Sequence, residues 1–156
     1  MMIAKKNNYI PGTWFSVPLR KGGYALGVIV SVGDKGVLYG YFFKPKLTEI
    51  PNKLAGSISL SECVLKAKFG HLGLSKGRWK IIEKDNEWAK KGWGVEPMVR
   101  LDEDASIGFI SHYNESLRLI SEEKHKISSD LYKYPRDSLL GAGAVEIRLT
   151  NILCEQ

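Results

Sequence analysis

The stretch of residues 12–43 limits the possible folds more than any other part of this chain. It reads GTWFSVPLRKGGYALGVIVSVGDKGVLYGYFF, and in three segments its side chains alternate between two sides, with the period of two that is typical of β-strands. Residues 20–23 and 33–36 separate these segments and carry the glycines that tight turns use. The pattern therefore predicts three consecutive antiparallel strands. Both faces are largely apolar, so we expect the sheet to be covered on one side and partly covered on the other.

Two glycines inside the predicted strands, Gly27 and Gly40, indicate curvature. Glycine within a strand is typical of a bulge or a sharp bend, and curvature of this kind suits a small barrel. Further strands are predicted over residues 62–69, 78–84, 99–101, 107–113 and 117–120. We therefore predict a mostly β (α+β) fold, built on a single antiparallel sheet that is strongly curled or barrel-like.

The last predicted element is a C-terminal helix. Apolar side chains recur at three-to-four spacing along one stripe, at Leu139, Ala142, Val145, Leu149, Ile152 and Leu153. The side chain of Asp137 or Ser138 can accept the free amide hydrogens at a helix start, which predicts a helix of about 16 residues packed on the sheet. With 156 residues and no repeat or linker, the chain is expected to form one domain over residues 1–156.

Basic residues are concentrated in the first part of the chain. Residues 1–95 carry 16 Lys and Arg against 6 Asp and Glu, whereas residues 96–156 carry 7 against 11, and the formal net charge is +6. The basic part could attract nucleic acid or an acidic partner, and the acidic part a basic partner. The plainer interpretation is that lysines occupy the solvent faces and edges of strands, where they oppose aggregation.

The sequence predicts a protein without a membrane-spanning segment. No apolar run approaches the roughly 20 residues that a transmembrane helix needs. The N-terminal MMIAKKNNYIPG lacks the apolar core of a secretory signal. The two cysteines, Cys63 and Cys154, are expected to be a buried thiol and a tail thiol without a bridge. Free thiols suit the cytoplasm, which is the predicted location.

No catalytic or metal-binding constellation stands out among the polar residues. His71, His112 and His125 are scattered, and neither cysteine lies near the other, whereas a zinc site needs four converging ligands with short spacings. Cys63 lies on the apolar side of its predicted strand, where a thiol behaves as a small hydrophobic group. We therefore predict no enzyme activity, no cofactor and no bound metal.

The densest run of carboxylates is Asp102, Glu103 and Asp104. Adjacent carboxylates repel one another, so they persist where water, a cation or a basic partner relieves the repulsion. The run suits a solvated turn, a contact for a positively charged partner, or a Mg²⁺ or Ca²⁺ site, although the spaced oxygen ligands of a calcium-binding loop are missing. The irregular segment 85–97 carries Trp88 and Trp93, which suit core packing, base stacking or a hot spot for protein binding.

Two patches of the sequence resemble a known family. The first patch is PGTWFSVPLRKGGYALGVIV and the second is GRWKIIEK. Both resemble signature blocks of the immunity protein 26 family of bacterial polymorphic toxin systems. The residues that carry the resemblance are Gly12, Phe15, Val17, Pro18, Leu19, Gly23, Tyr24, Ala25, Gly27 and Ile29 in the first patch, and Gly77, Trp79, Lys80 and Ile81 in the second.

The resemblance implies a small, mostly β protein that binds a cognate toxin domain and blocks it without catalysis. The toxin of such a system is commonly suspected to be a nuclease. Nuclease inhibitors are usually acidic, whereas this chain is net basic. Either the acidic second part makes the contact, or the toxin is not a nuclease, or the toxin is bound away from its active site.

Charge density beside the predicted hairpin at residues 107–120 suggests where such a toxin would bind. We predict an interface with charged flanks and a buried aromatic anchor, formed by Asp102, Glu103, Asp104, Glu122, Glu123, Trp88 and Trp93. The alternative function is that of a basic β-barrel whose lysines in residues 1–95 bind nucleic acid.

Overall fold

The computed structural model describes residues 9–54 and 58–154, which form nine strands and three α-helices. The strands are β1 (Thr13–Pro18), β2 (Tyr24–Val32), β3 (Val37–Leu47), β4 (Cys63–Gly70), β5 (Ile81–Lys84), β6 (Met98–Asp102), β7 (Ile107–Tyr113), β8 (Leu119–Lys126) and β9 (Leu139–Leu140). The helices are α1 (Leu72–Ser75), α2 (Trp88–Lys91) and α3 (Ala142–Cys154), with 3₁₀ turns at Leu60–Glu62 and Ser129–Lys133.

The strands form two sheets. The large sheet has six strands in the order β5-β1-β2-β3-β4-β9, and the small sheet has three in the order β6-β7-β8. All neighbours are antiparallel except β4 and β9, which are parallel. The prediction of a mostly β fold with a C-terminal helix is confirmed. The prediction of one strongly curled or barrel-like sheet is wrong, since neither sheet is closed or strongly curled.

The stretch that opens the sheet folds as its sequence pattern predicts. β1, β2 and β3 pair as consecutive antiparallel neighbours, with Trp14 opposite Val28 and Val28 opposite Tyr41. The turns fall at the predicted glycines: Gly22 and Gly23 both have positive φ, at 95° and 81°. Local alternation and turn chemistry are therefore sufficient to define this part of the fold.

The two glycines inside these strands make room for aromatic rings. A Cβ atom on Gly27 would lie 2.7 Å from the ring of Phe15 and 3.0 Å from that of Phe42, and one on Gly40 would lie 2.8 Å from the ring of Phe69. Their small size therefore serves close packing on the sheet. The register of β2 and β3 shifts beside Gly40, but the sheet does not have the strong curl that we predict from the sequence.

The first face of the large sheet is covered by helices. Val145 and Leu149 of α3 and Leu74 of α1 pack against it. The buried residues of this first core are Phe15, Val17, Leu19, Ala25, Ile29, Leu38, Phe42, Phe69, Leu74, Trp79, Val145 and Leu149. The predicted packing of the C-terminal helix on the sheet is thus confirmed.

The second face is covered by the segment 85–97 and by one end of the small sheet. Its buried residues are Trp14, Val28, Val30, Tyr39, Tyr41, Phe43 and Met98. Met98 begins β6, so the small sheet touches this second core at the start of that strand. The next residue, Val99, points the other way and forms a separate third core with Ile110 and Leu131. An apolar pattern on both strand faces reflects a sheet buried on both sides.

α3 begins later than the sequence predicts. The helix starts at Ala142 and has 13 residues, because Leu139 and Leu140 form β9 and pair with Lys68 and Phe69 of β4. The side chain of Asp137, a predicted helix cap, is bound instead to side chains from both sheets. The apolar residues before Ala142 therefore belong to a strand.

The chain between β8 and α3 joins the two sheets. The amide of Val99 in β6 donates to the carbonyl of Pro135 at 2.8 Å, and the amide of Asp137 donates to the carbonyl of Val99 at 2.8 Å. The chain then pairs with β4 of the large sheet as β9. Among the described residues, no helix is long and apolar enough to cross a membrane.

Candidate functional site

The three predicted interface carboxylates at residues 102–104 lie on an exposed turn. Asp102 ends β6, and Glu103 and Asp104 belong to the turn that leads to β7. The Asp102 carboxylate accepts a hydrogen bond from the amide of Ala105 at 3.2 Å. Within residues 9–54 and 58–154, no Lys, Arg or His forms an ion pair with any of the three. The turn thus presents uncompensated negative charge to solvent.

The other two predicted carboxylates, Glu122 and Glu123, lie on opposite faces of β8. Glu122 is paired with Ser111 and Glu123 with Ile110, which are consecutive in β7. The guanidinium of Arg100 binds Glu122 at 2.9 Å. Arg100 therefore offsets part of the negative charge that makes Glu122 and Glu123 conspicuous in the sequence.

On its own face, Glu123 lies between two histidines. Its carboxylate oxygens are 2.5 Å from Nε2 of His112 and 3.4 Å from Nε2 of His125. These two hydrogen bonds lower the pKa of Glu123, that from His112 most. The carboxylate therefore stays ionised over a wider acidic range than an isolated glutamate.

Strand register separates the predicted acidic residues from one another. Asp102 lies opposite Ile107, whereas Glu122 lies opposite Ser111, four positions along β7. At about 3.4 Å per residue this corresponds to roughly 14 Å along the strand direction. The acidic turn and the carboxylates of β8 are therefore separate features of the small sheet.

The two predicted tryptophans are anchored in the second core. Trp93 stacks on Tyr41 and Phe43 at centroid distances of 5.9 and 5.7 Å, and Trp88 meets the ring of Trp93 edge-on at 5.5 Å. Gly92 ends α2 with a φ of 68°, which turns the chain so that the two indoles converge. Both are half-buried and line an open groove of about 630 Å³. They combine core packing with a partly accessible apolar surface.

A comparison with protein-family models places most of this chain in a known group. Residues 10–106 match the model described as Immunity protein 26 (Imm26). The chain belongs to the immunity protein 26 family. The resemblance predicted from the two sequence patches is thus confirmed. No match was found among curated proteins or among solved structures.

The matched region covers β1–β6 and ends in the turn before β7. It includes the second core and the tryptophan segment, and its last residues contain the acidic turn. β7, β8, β9 and α3 follow the matched region. The family is one of immunity proteins for toxin systems, a class that is generally non-catalytic.

A junction between the sheets was missed by the sequence reasoning. The Tyr113 hydroxyl donates to one oxygen of Asp137 at 2.5 Å, and Lys68 binds the other oxygen at 2.5 Å. Burial, followed by the hydrogen bond to Asp137 and its negative charge, raises the pKa of Tyr113 to about 12. The three residues come from β7, the segment before β9 and β4, so no local spacing in the sequence could reveal them.

A second missed cluster surrounds a buried carboxylate on α3. Glu146 is 1% exposed and accepts hydrogen bonds from Arg20, Arg78 and the indole of Trp79, at 2.9 to 3.0 Å. The only sign of this cluster in the sequence was a glutamate next to the apolar stripe of the predicted helix. The cluster fixes α3 to the large sheet through two arginines that remain about half exposed.

Burial raises the pKa of the Cys63 thiol, which disfavours the reactive thiolate at neutral pH. Cys63 and Cys154 are both free thiols. In the part of the chain that the structure describes, no three His, Cys, Asp or Glu side chains are placed to hold a metal ion. Aromatic surface, uncompensated charge and open strand edges are the features that a partner could recognise.

Proposed function

We propose that this chain neutralises a cognate toxin domain of a bacterial polymorphic toxin system in the cytoplasm, by binding the toxin surface and without a chemical step. The observation that carries the proposal is the match of residues 10–106 to the immunity protein 26 family. A nuclease is the first toxin class to test, because it is the class that the resemblance implies. The buried aromatic core beneath the tryptophans supports the proposal, since side chains that are already held by packing lose less entropy on binding.

The proposed contact surface combines a charged turn with an aromatic anchor. Asp102, Glu103 and Asp104 would attract a basic toxin surface and speed encounter, because like-signed charges without partners produce a long-range field. Trp88 and Trp93 would supply apolar contact area in the groove that they line. Glu122 and Glu123 would contribute less, since Arg100 and the two histidines already bind them.

The experiment measures association with the cognate toxin domain, which is to be sought in the open reading frames beside the gene for this chain. The triple variant Asp102→Ala, Glu103→Ala, Asp104→Ala is compared with a control, Asp34→Ala, Glu49→Ala, Asp130→Ala, that removes three exposed carboxylates outside the proposed contact surface. At low salt we expect the turn variant to associate roughly tenfold more slowly and the control to resemble the native chain. Equal rates for the two variants would remove the turn from the interface. No binding or protection by the native chain would refute the function itself.

The alternative, binding of nucleic acid, receives less support from the structure. Three lysines of the basic region, Lys66, Lys68 and Lys91, are held in ion pairs with Glu96, Asp137 and Asp85. Such pairs reduce the positive charge available to phosphates. A labelled oligonucleotide tests this alternative directly, since phosphate binding weakens steeply as salt is raised. A tight, salt-dependent complex at low salt would favour the alternative over toxin binding.

A further inference from the structure

The first half of β4 is an open edge of the large sheet. β9 pairs with β4 at Lys68 and Phe69. Among the described residues, no strand pairs with residues 63–67 on the side away from β3. Every second residue of such a strand directs its N–H and C=O groups away from its antiparallel partner. Residues 63–67 therefore present a row of backbone donors and acceptors that a further strand could use.

A cleft of about 400 Å³ runs along this open edge. One wall is β4 and the other is the chain at residues 132–138, which the bonds between Val99 and residues 135 and 137 hold against β6. The chain reaches β4 only afterwards, as β9. The space beside residues 63–67 is thus bounded by β4 on one side and by residues 132–138 on the other, and we call it the β4 cleft.

The β4 cleft is positively charged. It is lined by one carboxylate, Glu96, and by four basic side chains, those of Lys66, Lys133, Arg136 and Arg148. Lys66 binds Glu96 at 2.7 Å. The guanidinium of Arg136 lies 5.5 Å from the ring centroid of Tyr132, and no carboxylate of the described residues pairs with Arg136 or Arg148. Two guanidinium groups are therefore available to bind carboxylates, for which their planar geometry is well suited.

We propose that the β4 cleft receives an extended acidic segment of the toxin, which adds to β4 as a further strand and places its carboxylates against Arg136 and Arg148. Strand addition of this kind derives affinity from main-chain hydrogen bonds and specificity from side-chain pockets. The inference rests on the proposed toxin-binding function. It is also compatible with a net charge of +6 in an inhibitor, because an acidic segment of the toxin would enter this cleft while a basic part of the toxin faces the acidic turn.

The other long open edge, β8, fits such a segment less well. All eight of its residues are exposed, and they carry charges of both signs, with Glu122 and Glu123 followed by Lys124 and Lys126. A strand with mixed charges on an exposed edge is typical of protection against unwanted pairing. β8 is therefore the rival location that the experiment has to distinguish.

The first measurement uses the native full-length chain with the cognate toxin domain. Hydrogen exchange is compared for the free protein and the complex. The inference predicts that amides within residues 63–67 become protected by at least tenfold, with little change in Leu119–Lys126. Binding with protection on β8 and none on β4 would overturn the inference while leaving the proposed function intact. If the native chain does not bind the toxin, the proposed function fails and the inference fails with it.

The second measurement reverses charge in the β4 cleft. We expect Arg136→Glu with Arg148→Glu to weaken toxin binding by at least tenfold. The control, Lys76→Glu with Arg118→Glu, makes the same change of charge at exposed positions outside the cleft and should bind nearly as tightly as the native chain. Native-like thermal unfolding of both variants shows that binding is compared between folded proteins. Equal binding by the two variants would refute the role of the arginines.

Discussion

The two sheets of this protein differ in how their faces are used. Strands β1–β3 of the large sheet are buried on both faces, beneath helices on one side and beneath aromatic residues on the other. The small sheet buries Met98 at one end and a third core of three residues, while β8 is exposed along its whole length. The comparison indicates that the large sheet supplies most of the stability, whereas the small sheet supplies charged surface.

The same substitution in each sheet should have very different effects on stability. Phe42 is fully buried in the first core, so Phe42→Ala should lower the free energy of unfolding by about 3–5 kcal/mol. Phe109 lies half-buried beneath the guanidinium of Arg100, at 4.3 Å, and Phe109→Ala should cost about 1 kcal/mol. Urea denaturation at constant m-value measures both. Similar losses would show that the small sheet is as important to stability as the large one.

Two glutamates that bind arginine, one buried and one exposed, extend the comparison between the large and the small sheet. Glu146 is buried and bound by two arginines and Trp79, so Glu146→Gln should destabilise the fold by about 3 kcal/mol. Glu122 also binds an arginine, but in an exposed pair, so Glu122→Gln should change stability little. Thermal and urea unfolding of both variants provide the measurement. A larger loss for Glu122→Gln would contradict the difference in burial on which this prediction depends.

The smallest effect is expected at the junction between the sheets. Tyr113→Phe removes the hydrogen bond to Asp137 and should cost about 1 kcal/mol at neutral pH. The pKa of Tyr113 is raised to about 12 in the folded protein, against about 10 in an unfolded chain. The extra stability is therefore fully present below pH 10 and is lost as the pH rises towards 12.

This pH dependence separates Tyr113 from the other buried tyrosines. Burial also raises the pKa of Tyr39 and Tyr41, so the native protein and the Tyr113→Phe variant both lose stability in alkali. The difference between them should stay constant up to pH 10 and then narrow. Urea unfolding at a series of pH values up to 11 tests this. A difference that does not narrow above pH 10 would mean that the hydroxyl titrates normally.

Features that local sequence determines were predicted well. Alternation and glycine turns identified β1–β3 within one or two residues, apart from the longer C-terminal end of β3. The same reasoning failed for the number of sheets, because long-range packing decides whether the β6–β7–β8 strands join the edge of the large sheet or form a sheet of their own. Leu139 and Leu140 suit a helix or a strand equally, and only the open edge beside Lys68 and Phe69 makes them β9.

The candidate sites were predicted in part. Charge density and aromatic content in the sequence selected the acidic turn and the tryptophans, whose role at an interface stays a prediction. The Glu146 cluster, the Tyr113 junction and the β4 cleft depend on residues far apart in the chain. Arg20 and Glu146, for example, are separated by 126 positions. Sequence spacing carries no information about such contacts until the fold is known.

The long separation in sequence between β1–β3 and α3 has a consequence for synthesis in the cell. The face of β1–β3 that carries Phe15 and Phe42 leaves the ribosome long before Val145 and Leu149 are synthesised to cover it. Contacts between segments so far apart in sequence form slowly compared with local contacts. In a nascent chain, this apolar surface is therefore exposed to other chains until α3 has been synthesised and has packed on it.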